Sequence, residues 1–449
     1  MKKIILTRPN YHTHLITPPL GLGYLSSYLQ SKGYTTEIID GLNRVLSNED
    51  IVKKCSGADV VGISCMSAYF SEVIDLTRKL KNRGFKVVIG GPHASALPEE
   101  TLQETNADYV IVGEGEISFS ELLEKQETPD SIPGIIKKDN KHFTKRKLIE
   151  NLDTLPMPDW QKMDPRNYKK APHGGLIKKF PVAPVITTRG CPFDCTFCAS
   201  PLLWERKIRF RSPENVVDEI KYLIKDFGVR EIHFEDDNLT LKKEHIESIC
   251  KLILKKRIKI AWATPNGVRA DTLDIDMLKL MKESGCYYLV FGIESANQSI
   301  LDRVKKKESL STIERVVKQA NSLGFLTQGF FIFGLPGETE QTMLNTIEFA
   351  KKIPLSRAQF LILDIFPGSE LWDELKDKRI VNWDYNSYKE VTWVPEGLNK
   401  EKLMNVQSYA FKSFFFRPKQ LFSLLKYFKI TQIQFVFKRI RDFRILKGV

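Results

Sequence analysis

The chain has 449 residues, enough for two or three domains, and its seven cysteines follow no secretory signal. This argues against a disulfide framework and for a reducing compartment, and no uninterrupted run of about 18 apolar residues could span a membrane. Of the net charge of +13, residues 411–449 carry +9, which leaves +4 for the preceding 410 residues. The body is nearly balanced in charge, so we expect no nucleic-acid partner. From the cysteine usage we expect a cytoplasmic protein, with surface association to a membrane left open.

The first 112 residues alternate apolar runs with helix-like stretches. The runs predict five buried parallel strands at 3–6, 36–39, 60–63, 87–89 and 109–112, which make a flavodoxin-like, Rossmann-type sheet. Such sheets bind ligands beyond the carboxyl ends of their strands. Those ends carry small or turn-forming residues here: the long loop after strand one, Ser64 to Ser67, Gly90 to His93, and Gly113 to Glu116. By this pattern alone, a nucleotide or a signalling role would fit equally well.

The same strand ends resemble those of the cobalamin-binding domain. Ser64-x-Met66 stands where that domain has Ser-x-Leu or Ser-x-Thr, and Gly90-Gly91 stands where its glycine pair makes room for the dimethylbenzimidazole tail. The Asp-x-His-x-x-Gly motif that ligates cobalt is absent, and His12 lacks its flanking residues, so we expect a plain loop histidine. The resemblance implies cobalamin without a protein histidine on the metal. The implied cobalamin contacts are Pro19, Ser64, Met66, Gly90, Gly91, Gly113, Glu114 and Gly115.

A motif of three cysteines follows the run 184–188, which we predict to be a strand. Cys191, Cys195 and Cys198 have the spacing C-x3-C-x2-C. Three thiolates this close invite a soft metal or an iron–sulfur cluster, and three ligands leave one iron of a cubane open. A structural zinc knuckle is disfavoured because such sites take four ligands and the next cysteine downstream is Cys250.

After the cysteine loop the alternation of strands and helices resumes. Strands are predicted at 231–234, 258–264, 287–293, 327–333 and 358–366, which make six with the strand before Cys191. Six such units predict a partial (β/α)6 barrel whose site lies at the carboxyl ends of its strands. Those ends are polar or glycine-rich at 235–238, 265–269, 292–295 and 333–338.

The cysteine spacing and these strand ends resemble the radical S-adenosylmethionine (SAM) enzymes. The resemblance implies a [4Fe-4S] cluster on Cys191, Cys195 and Cys198, with SAM chelating the fourth iron and being cleaved to methionine and a 5′-deoxyadenosyl radical. It places Phe197 near the adenine and leaves open which acid of 235–237 binds the SAM ammonium. The implied SAM contacts are Phe197, Glu235, Asp236, Asp237, Asn266, Arg269, Glu294 and Gly334.

We divide the chain into a cobalamin-binding domain at 1–135, a linker at 136–176, a radical SAM domain at 177–380 and a helical extension at 381–449. Residues 152–160 resemble the segment that joins the two domains in this family, although an ordinary surface connector fits as well. The extension is basic and aromatic, and Ile433, Phe437 and Ile440 recur at helical spacing. It fits a cap on the barrel mouth or a helix lying on an anionic membrane surface.

Both modules together predict a cobalamin-dependent radical SAM enzyme. The leading interpretation is C-methylation of an unactivated carbon through the 5′-deoxyadenosyl radical and methylcobalamin. An oxidative cyclase like the anaerobic Mg-protoporphyrin ester cyclases and a non-catalytic cobalamin or SAM sensor are the alternatives. A methylthiotransferase is disfavoured because the amino-terminal domain has only Cys55 and Cys65. The expected partners are a small-molecule or lipid-like substrate and an external electron donor of the flavodoxin or ferredoxin type.

Overall fold

The computed structural model describes residues 2–125, 131–138, 143–170, 177–378, 391–418 and 420. Two six-stranded sheets organise this part of the chain, one in each predicted domain. The four cysteines outside the motif, Cys55, Cys65, Cys250 and Cys286, are buried and free, as predicted. In the described part of the chain, no helix combines the length and apolar character needed to cross a bilayer.

The amino-terminal sheet has the strand order β2-β1-β3-β4-β5-β6. Its first five strands are parallel and match the five predicted runs, which confirms the flavodoxin-like fold. The sixth strand is antiparallel to the fifth; it was not predicted because two residues are too short to show a period. The strands are β1 (Lys3–Arg8), β2 (Thr35–Asp40), β3 (Val60–Ser64), β4 (Lys86–Gly90), β5 (Tyr109–Ile111) and β6 (Ile135–Ile136). The helices are α1 (Leu20–Ser31), α2 (Gly41–Arg44), α3 (Asn48–Lys54), α4 (Phe70–Lys81), α5 (Pro92–Ala96), α6 (Pro98–Thr105) and α7 (Gly115–Glu124).

The second sheet is an open barrel of six parallel strands, as predicted. Its order is β14-β13-β12-β11-β10-β7, so β7 and β14 are its two edges. The strands of this half are β7 (Val182–Val185), β8 (Thr188–Arg189), β9 (Arg209–Phe210), β10 (Glu231–Phe234), β11 (Ala261–Val268), β12 (Cys286–Glu294), β13 (Leu326–Phe333) and β14 (Arg357–Ile362). The helices are α8 (Ser200–Trp204), α9 (Pro213–Phe227), α10 (Lys243–Lys255), α11 (Ile275–Glu283), α12 (Gln298–Arg303), α13 (Leu310–Ser322), α14 (Glu340–Lys352), α15 (Glu370–Leu375) and α16 (Lys400–Phe415).

Several helices around the barrel begin with a residue whose side chain caps the helix. Ser212 caps α9 by accepting a hydrogen bond from the Asn215 N–H, and Gly228 ends the helix at a φ of +62°. Between these caps, buried residues recur every three or four positions at Val216, Ile220, Leu223 and Phe227 and so face the sheet. Equivalent side-chain caps begin α11, α13 and α14.

The run 184–188 was predicted to be one strand, and this was wrong. β7 ends at Val185, and Thr188 and Arg189 form a separate two-residue strand that is antiparallel to β9. The break occurs because one carboxylate oxygen of Asp236 accepts hydrogen bonds from the backbone and hydroxyl groups of both Thr187 and Thr188. The side chain therefore supplies an acceptor to both backbone N–H groups where the parallel pairing of β7 with β10 stops.

The segment between the domains contacts both of them. Asp159 accepts a hydrogen bond from Ser26 of α1 at 2.7 Å, and the Trp160 indole donates to Glu219 of α9 at 2.8 Å. Trp160 is almost fully buried. Residues 152–160 therefore link the helices of the two halves. His173, Gly174 and Gly175, which could help to cover a site, lie outside the described residues.

The described part of the carboxyl-terminal extension covers the barrel edge. α16 packs against β14 and α14, and Phe411 and Phe414 contact the ring of Phe360 edge-on. Upstream of this helix, Trp393 is buried in a cluster with Leu335 and Ile365 near the carboxyl ends of the strands. The predicted helical repeat at Ile433, Phe437, Ile440 and Phe443 lies outside the described residues.

Candidate active site

The three cysteines lie on the loop between β8 and α8, at the carboxyl end of the first barrel strand. Cys191, Cys195 and Cys198 are half-buried and free. The loop is held in place by the Thr196 N–H, which donates to the Val304 carbonyl at 3.1 Å, and by the Cys198 N–H, which donates to the Cys195 carbonyl. The fold thus places the three predicted thiols in one half-buried loop at the barrel mouth.

The surroundings of the thiols favour their neutral form when no metal is bound. Burial raises the pKa of all three, that of Cys198 to about 12, and the neighbouring thiols add to the raised pKa of Cys195 and Cys198. A metal would reverse this preference, because a coordinating thiol is deprotonated outright. Asn238, which the sequence analysis did not assign, directs its amide nitrogen at the Cys191 sulfur, 3.9 Å away.

Zinc fits this loop less well than a cubane. Within the described residues, no three His, Cys, Asp or Glu side chains converge as ligands for a single metal ion. Each cysteine thiolate of a cubane cluster binds a different iron, so the three cysteine sulfurs do not have to point at one common metal atom. Among the residues that the structure describes, the donor set is three soft thiolates, which fits an iron–sulfur cluster with one open corner.

The three acidic residues after β10, 235–237, differ in burial and in what they contact. Asp236 is 2% exposed, and its Oδ1 accepts the hydrogen bonds from Thr187 and Thr188. Burial raises its pKa to about 6. This oxygen positions the start of the cysteine segment, and the contact of Asp236 with SAM stays a prediction. Glu235 is half-buried and Asp237 is exposed beside the cysteine loop, where its charge contributes to the raised pKa of Cys198.

Asn266 and Glu294 lie in irregular parts of strands, not in the loops that were predicted. The pairing of β11 with β12 shifts between Thr264 and Val268, and the pairing of β12 with β13 shifts between Gly292 and Glu294. The Asn266 amide is exposed and donates to the Glu235 carbonyl at 2.9 Å. Glu294 adopts a φ of +64°. Such bulges re-aim side chains and are common beside active sites.

Arg269 and Glu294 belong to a buried group of charges beneath the cysteine loop. The Arg269 guanidinium lies 3.7 Å from the ring centre of Phe193 and donates to the carbonyl oxygens of Lys306 and Lys307. The Lys306 ammonium lies 3.3 Å from Glu294 and 3.4 Å from Glu308. Burial alone would lower the pKa of Lys306, but these carboxylates outweigh it and the pKa is raised. Arg269 therefore supports the loop from below.

Phe197 and Gly334 meet the carboxyl-terminal extension. Phe197 packs against the cluster that contains Trp393. The Gly334 N–H donates to Glu338 Oε2 at 2.8 Å, and a Cβ at this position would lie 3.5 Å from Leu403 of α16. The SAM contacts assigned to these two residues stay predictions. Their surroundings show that residues 391–403 help to build this side of the barrel mouth.

A cavity of about 390 Å³ lies at the carboxyl ends of the amino-terminal sheet. All eight residues predicted to contact cobalamin line it. Its walls also include residues from the barrel domain, namely Ile186, Arg189, Leu203 and Trp204. Arg189 precedes the cysteine loop and Leu203 and Trp204 follow it, so the cavity opens beside that loop. His12 is exposed and is not among the lining residues described.

The glycine pair at the end of β4 shapes this cavity. Gly91 has a φ of +109°, and a Cβ there would lie 2.6 Å from the Cys65 carbonyl oxygen, so the backbone approach requires glycine. Gly90 is less constrained, since a Cβ would meet Ile111 at an ordinary 3.7 Å. His93 accepts or donates a 2.9 Å hydrogen bond with Ser67, which joins the β3 and β4 loops.

Glu114 lines the cavity but its carboxylate is used elsewhere. Oε1 accepts from Arg189 at 2.6 Å, and Oε2 accepts from Arg209 and the Ile149 N–H, each at 2.8 Å. A second Arg189 nitrogen binds Glu116 at 2.7 Å. All four charged side chains are at most 10% exposed. The Glu114 carboxylate thus joins the two domains. The contact of Glu114 with cobalamin stays a prediction, and it would be made by the backbone.

Sequence reasoning missed several residues that line the cavity. Arg8, Tyr24, Tyr69 and Phe119 come from the amino-terminal domain and Trp204 from the barrel. Arg189 had a signal, a cation two residues before the first cysteine of the motif. The others belong to ordinary apolar or turn segments, and nothing local distinguishes them.

Comparisons with known proteins agree with this geometry. Residues 185–350 match the Radical SAM superfamily and residues 11–123 match the B12 binding domain. An uncharacterised methyltransferase of Pyrococcus horikoshii is 34% identical over 418 residues, which cover 90% of this chain and 89% of that protein. Cytidylyl-2-hydroxyethylphosphonate methyltransferase of Streptomyces wedmorensis is 31% identical over 86% of this chain and 84% of its own.

Two further similarities are more distant. The anaerobic magnesium-protoporphyrin IX monomethyl ester cyclase of Rubrivivax gelatinosus is 28% identical over 92% of this chain and 77% of its own length. The solved structure of the radical SAM methyltransferase TsrM from Kitasatospora setae superposes with a TM-score of 0.73 over 90% of this chain and 82% of that one, at 18% identity, which supports the fold.

The chain belongs to the cobalamin-dependent radical SAM enzymes, in the group whose named relatives are mostly methyltransferases. Family membership brings three cofactors: a [4Fe-4S] cluster, SAM and cobalamin. The thiol loop and the glycine-walled cavity described above fit the cluster and the corrin respectively.

Proposed function

We propose that this enzyme methylates an unactivated carbon of a small molecule held between its two domains. The observation that carries the proposal is the shared wall of the cavity. Residues on both sides of the cysteine loop, Arg189 and Trp204, line the cavity that contains the predicted cobalamin residues. A substrate bound between them would face both cofactors. When bound, the cluster and SAM supply a hydrogen-abstracting carbon radical, and the corrin supplies the methyl group.

The chain's own residues would bind and orient these groups. Cys191, Cys195 and Cys198 hold the iron. Glu235 and Asp237, the carboxylates not committed to the β7–β8 turn, bind the SAM ammonium, because charge-assisted hydrogen bonds are the strong ones. Asn266, Glu294, Gly334 and Phe197 border the rest of SAM. Backbone groups at the carboxyl ends of β3, β4 and β5 hold the corrin.

Exclusion of water is the second task of the protein. The cavity is lined by apolar side chains such as Leu6, Leu25, Val88 and Phe119. An apolar enclosure protects a reactive radical from side reactions. Because the cofactors supply the chemistry, the protein has to position and shield them. Trp393 and Phe197 would close the opposite side of the mouth.

The proposed partners are a small-molecule substrate and an external electron donor of the flavodoxin or ferredoxin type. We keep surface contact with a membrane as a proposal for the basic extension, 381–449. Sedimentation with anionic liposomes at low and high salt tests it: binding at low salt supports it, and no binding at low salt refutes it.

The function is tested by reconstituting the protein anaerobically with iron, sulfide, cobalamin, SAM and a reductant, followed by mass spectrometry. 5′-Deoxyadenosine together with S-adenosylhomocysteine supports methylation. The second candidate, an oxidative cyclase, is favoured by the similarity to the Rubrivivax cyclase over 92% of the chain, and predicts 5′-deoxyadenosine alone. Neither product from a protein with a well-formed cluster would indicate a sensor.

A further inference from the structure

The inner face of the barrel carries an unusual set of hydrogen-bond donors on its last two strands. Side chains alternate along β13 and β14, so Phe331, Phe333 and Phe360 pack outward into the main core. Gln328 and Arg357 are register partners on the opposite, inner face, and Gln359 follows two residues along. These three side chains form what we call the donor patch.

Arg357 is half-buried, and two of its guanidinium nitrogens are shielded from solvent. Its guanidinium lies 6.0 Å from the ring centre of Tyr288, while its Nε and Nη1 are buried without a hydrogen-bond acceptor among the described residues. Gln328 does not serve as that acceptor, because its Oε1 already accepts from the Tyr288 hydroxyl at 2.6 Å. The Gln328 amide nitrogen therefore adds a donor to the patch. Shielded N–H groups are normally hydrogen-bonded, so the two unpaired nitrogens favour an acceptor that arrives with a ligand.

The carboxylate of Glu231 does not fill this role. Its Oε1 is hydrogen-bonded to His233 and to the Tyr287 hydroxyl, and its Oε2 accepts from the Lys179 N–H at 2.6 Å. On the β10 side of the inner face, both carboxylate oxygens of Glu231 are hydrogen-bonded. On the β14 side, two guanidinium nitrogens of Arg357 have no acceptor among the described residues. This asymmetry favours a negatively charged guest beside β14.

The depth of the patch constrains the guest. Arg357 is the first residue of β14, and the strand ends five residues later at Ile362. At about 3.3 Å per residue, the Arg357 backbone lies about 17 Å along the strand from the mouth where the cysteine loop lies. Ala261 and Ala263 of β11 pack against the tyrosines of β12, whereas Gln359, nearer the mouth, is half-buried.

We propose that the donor patch binds the anionic group, a carboxylate or a phosphate, of an elongated substrate. This inference rests on the proposed function, since it places the acid deep in the barrel and the reactive carbon at the mouth between the cysteine loop and the corrin cavity. Arg357 recognises the planar or tetrahedral oxygens through its forked N–H groups, and the amides of Gln328 and Gln359 complete the contact.

Calorimetric titration of the reconstituted holoenzyme tests the proposal. Inorganic pyrophosphate and glutarate serve as separate probes at constant ionic strength, and the probe that binds identifies phosphate or carboxylate as the preferred group. We expect R357Q to weaken that binding at least about tenfold, because a charge-assisted pair is lost. R315Q, on the exposed face of α13, removes the same charge and should leave affinity unchanged.

A second variant keeps the proposal testable if R357Q does not fold. Q359E places a carboxylate next to Arg357 and should abolish probe binding while the protein keeps its iron and corrin. Wild-type holoenzyme that binds neither probe, or equal affinity in wild type, R357Q and Q359E, overturns the proposal. Failure of the proposed function is separate: it would show as a protein that binds no corrin or forms no SAM-derived products, whatever the titration gives.

Discussion

Arg189 and Glu114 form a buried ion pair across the two domains, with Nη1 2.6 Å from Oε1. Arg189 lies two residues before Cys191, and Glu114 lines the cavity that contains the predicted cobalamin contacts. The guanidinium also stacks over the ring of Tyr24 at 4.9 Å. One side chain therefore fixes the start of the cysteine loop relative to the amino-terminal sheet.

We predict that R189M destabilises the folded protein by about 3–5 kcal/mol, because the buried carboxylate of Glu116 loses its cation and Glu114 keeps one of its two, Arg209. Urea unfolding followed by circular dichroism measures this change, and corrin affinity should fall in parallel. R166M provides the control, since Arg166 pairs with Asp164 on the surface and its loss should leave unfolding near that of wild type. An R189M protein as stable as wild type would show that the pair does not hold the domains together.

The adjacent glycines of β4 should respond differently to alanine. G91A forces a Cβ against the Cys65 carbonyl at a φ of +109° and should cost the fold more than about 1 kcal/mol. G90A meets only ordinary contacts, so it should fold normally but place a methyl group in the cavity and weaken corrin binding about tenfold or more. Thermal unfolding and corrin titration separate the two effects. Wild-type corrin affinity in G90A would remove Gly90 from the binding site.

The sequence predicted those features that are encoded locally. Five strands of the first sheet, the six-stranded barrel and the cysteine loop all follow from short periodic runs and spacing. The roles of Glu114 and Asp236 did not, because their partners lie 75 and 49 residues away. A carboxylate after a strand looks the same in sequence whether it binds a ligand or a distant arginine. The strand break at Thr187 had the same cause, a partner that only the fold supplies.

Glu338 should make stability depend on pH. Burial raises the pKa of its carboxyl to about 8 from an ordinary 4.5, although the Gly334 and Leu335 N–H groups oppose the shift. The folded state then holds a proton that the unfolded state releases, so the contribution present below about pH 4.5 is lost as the pH rises through about 8. E338Q keeps an acceptor oxygen without titrating.

Across pH 5 to 8, the free energy of unfolding should therefore fall less in E338Q than in wild type, by an amount on the order of a few kcal/mol. Urea denaturation at several pH values measures the difference. Parallel curves for the two proteins would mean that Glu338 ionises normally in the fold.

The extension should matter for SAM binding through Trp393. W393A opens a cavity in the cluster against which Phe197 packs and should cost about 3 kcal/mol in stability. Because Phe197 is predicted to border the adenine, we also expect weaker SAM binding, measured by equilibrium dialysis with the reconstituted protein. W393F retains an aromatic ring and should behave close to wild type. SAM affinity unchanged in W393A would place the nucleoside elsewhere.

The central claim is that Cys191, Cys195 and Cys198 carry a cluster that cleaves SAM next to a corrin-bound methyl group. Mass spectrometry of SAM-derived products from the anaerobically reduced, cobalamin-loaded protein tests it most directly. The account predicts both 5′-deoxyadenosine and S-adenosylhomocysteine from the native protein, and loss of the deoxyadenosine together with the bound iron in the C191A variant. A native protein that binds stoichiometric zinc, or that forms deoxyadenosine equally well without the three cysteines, would contradict it.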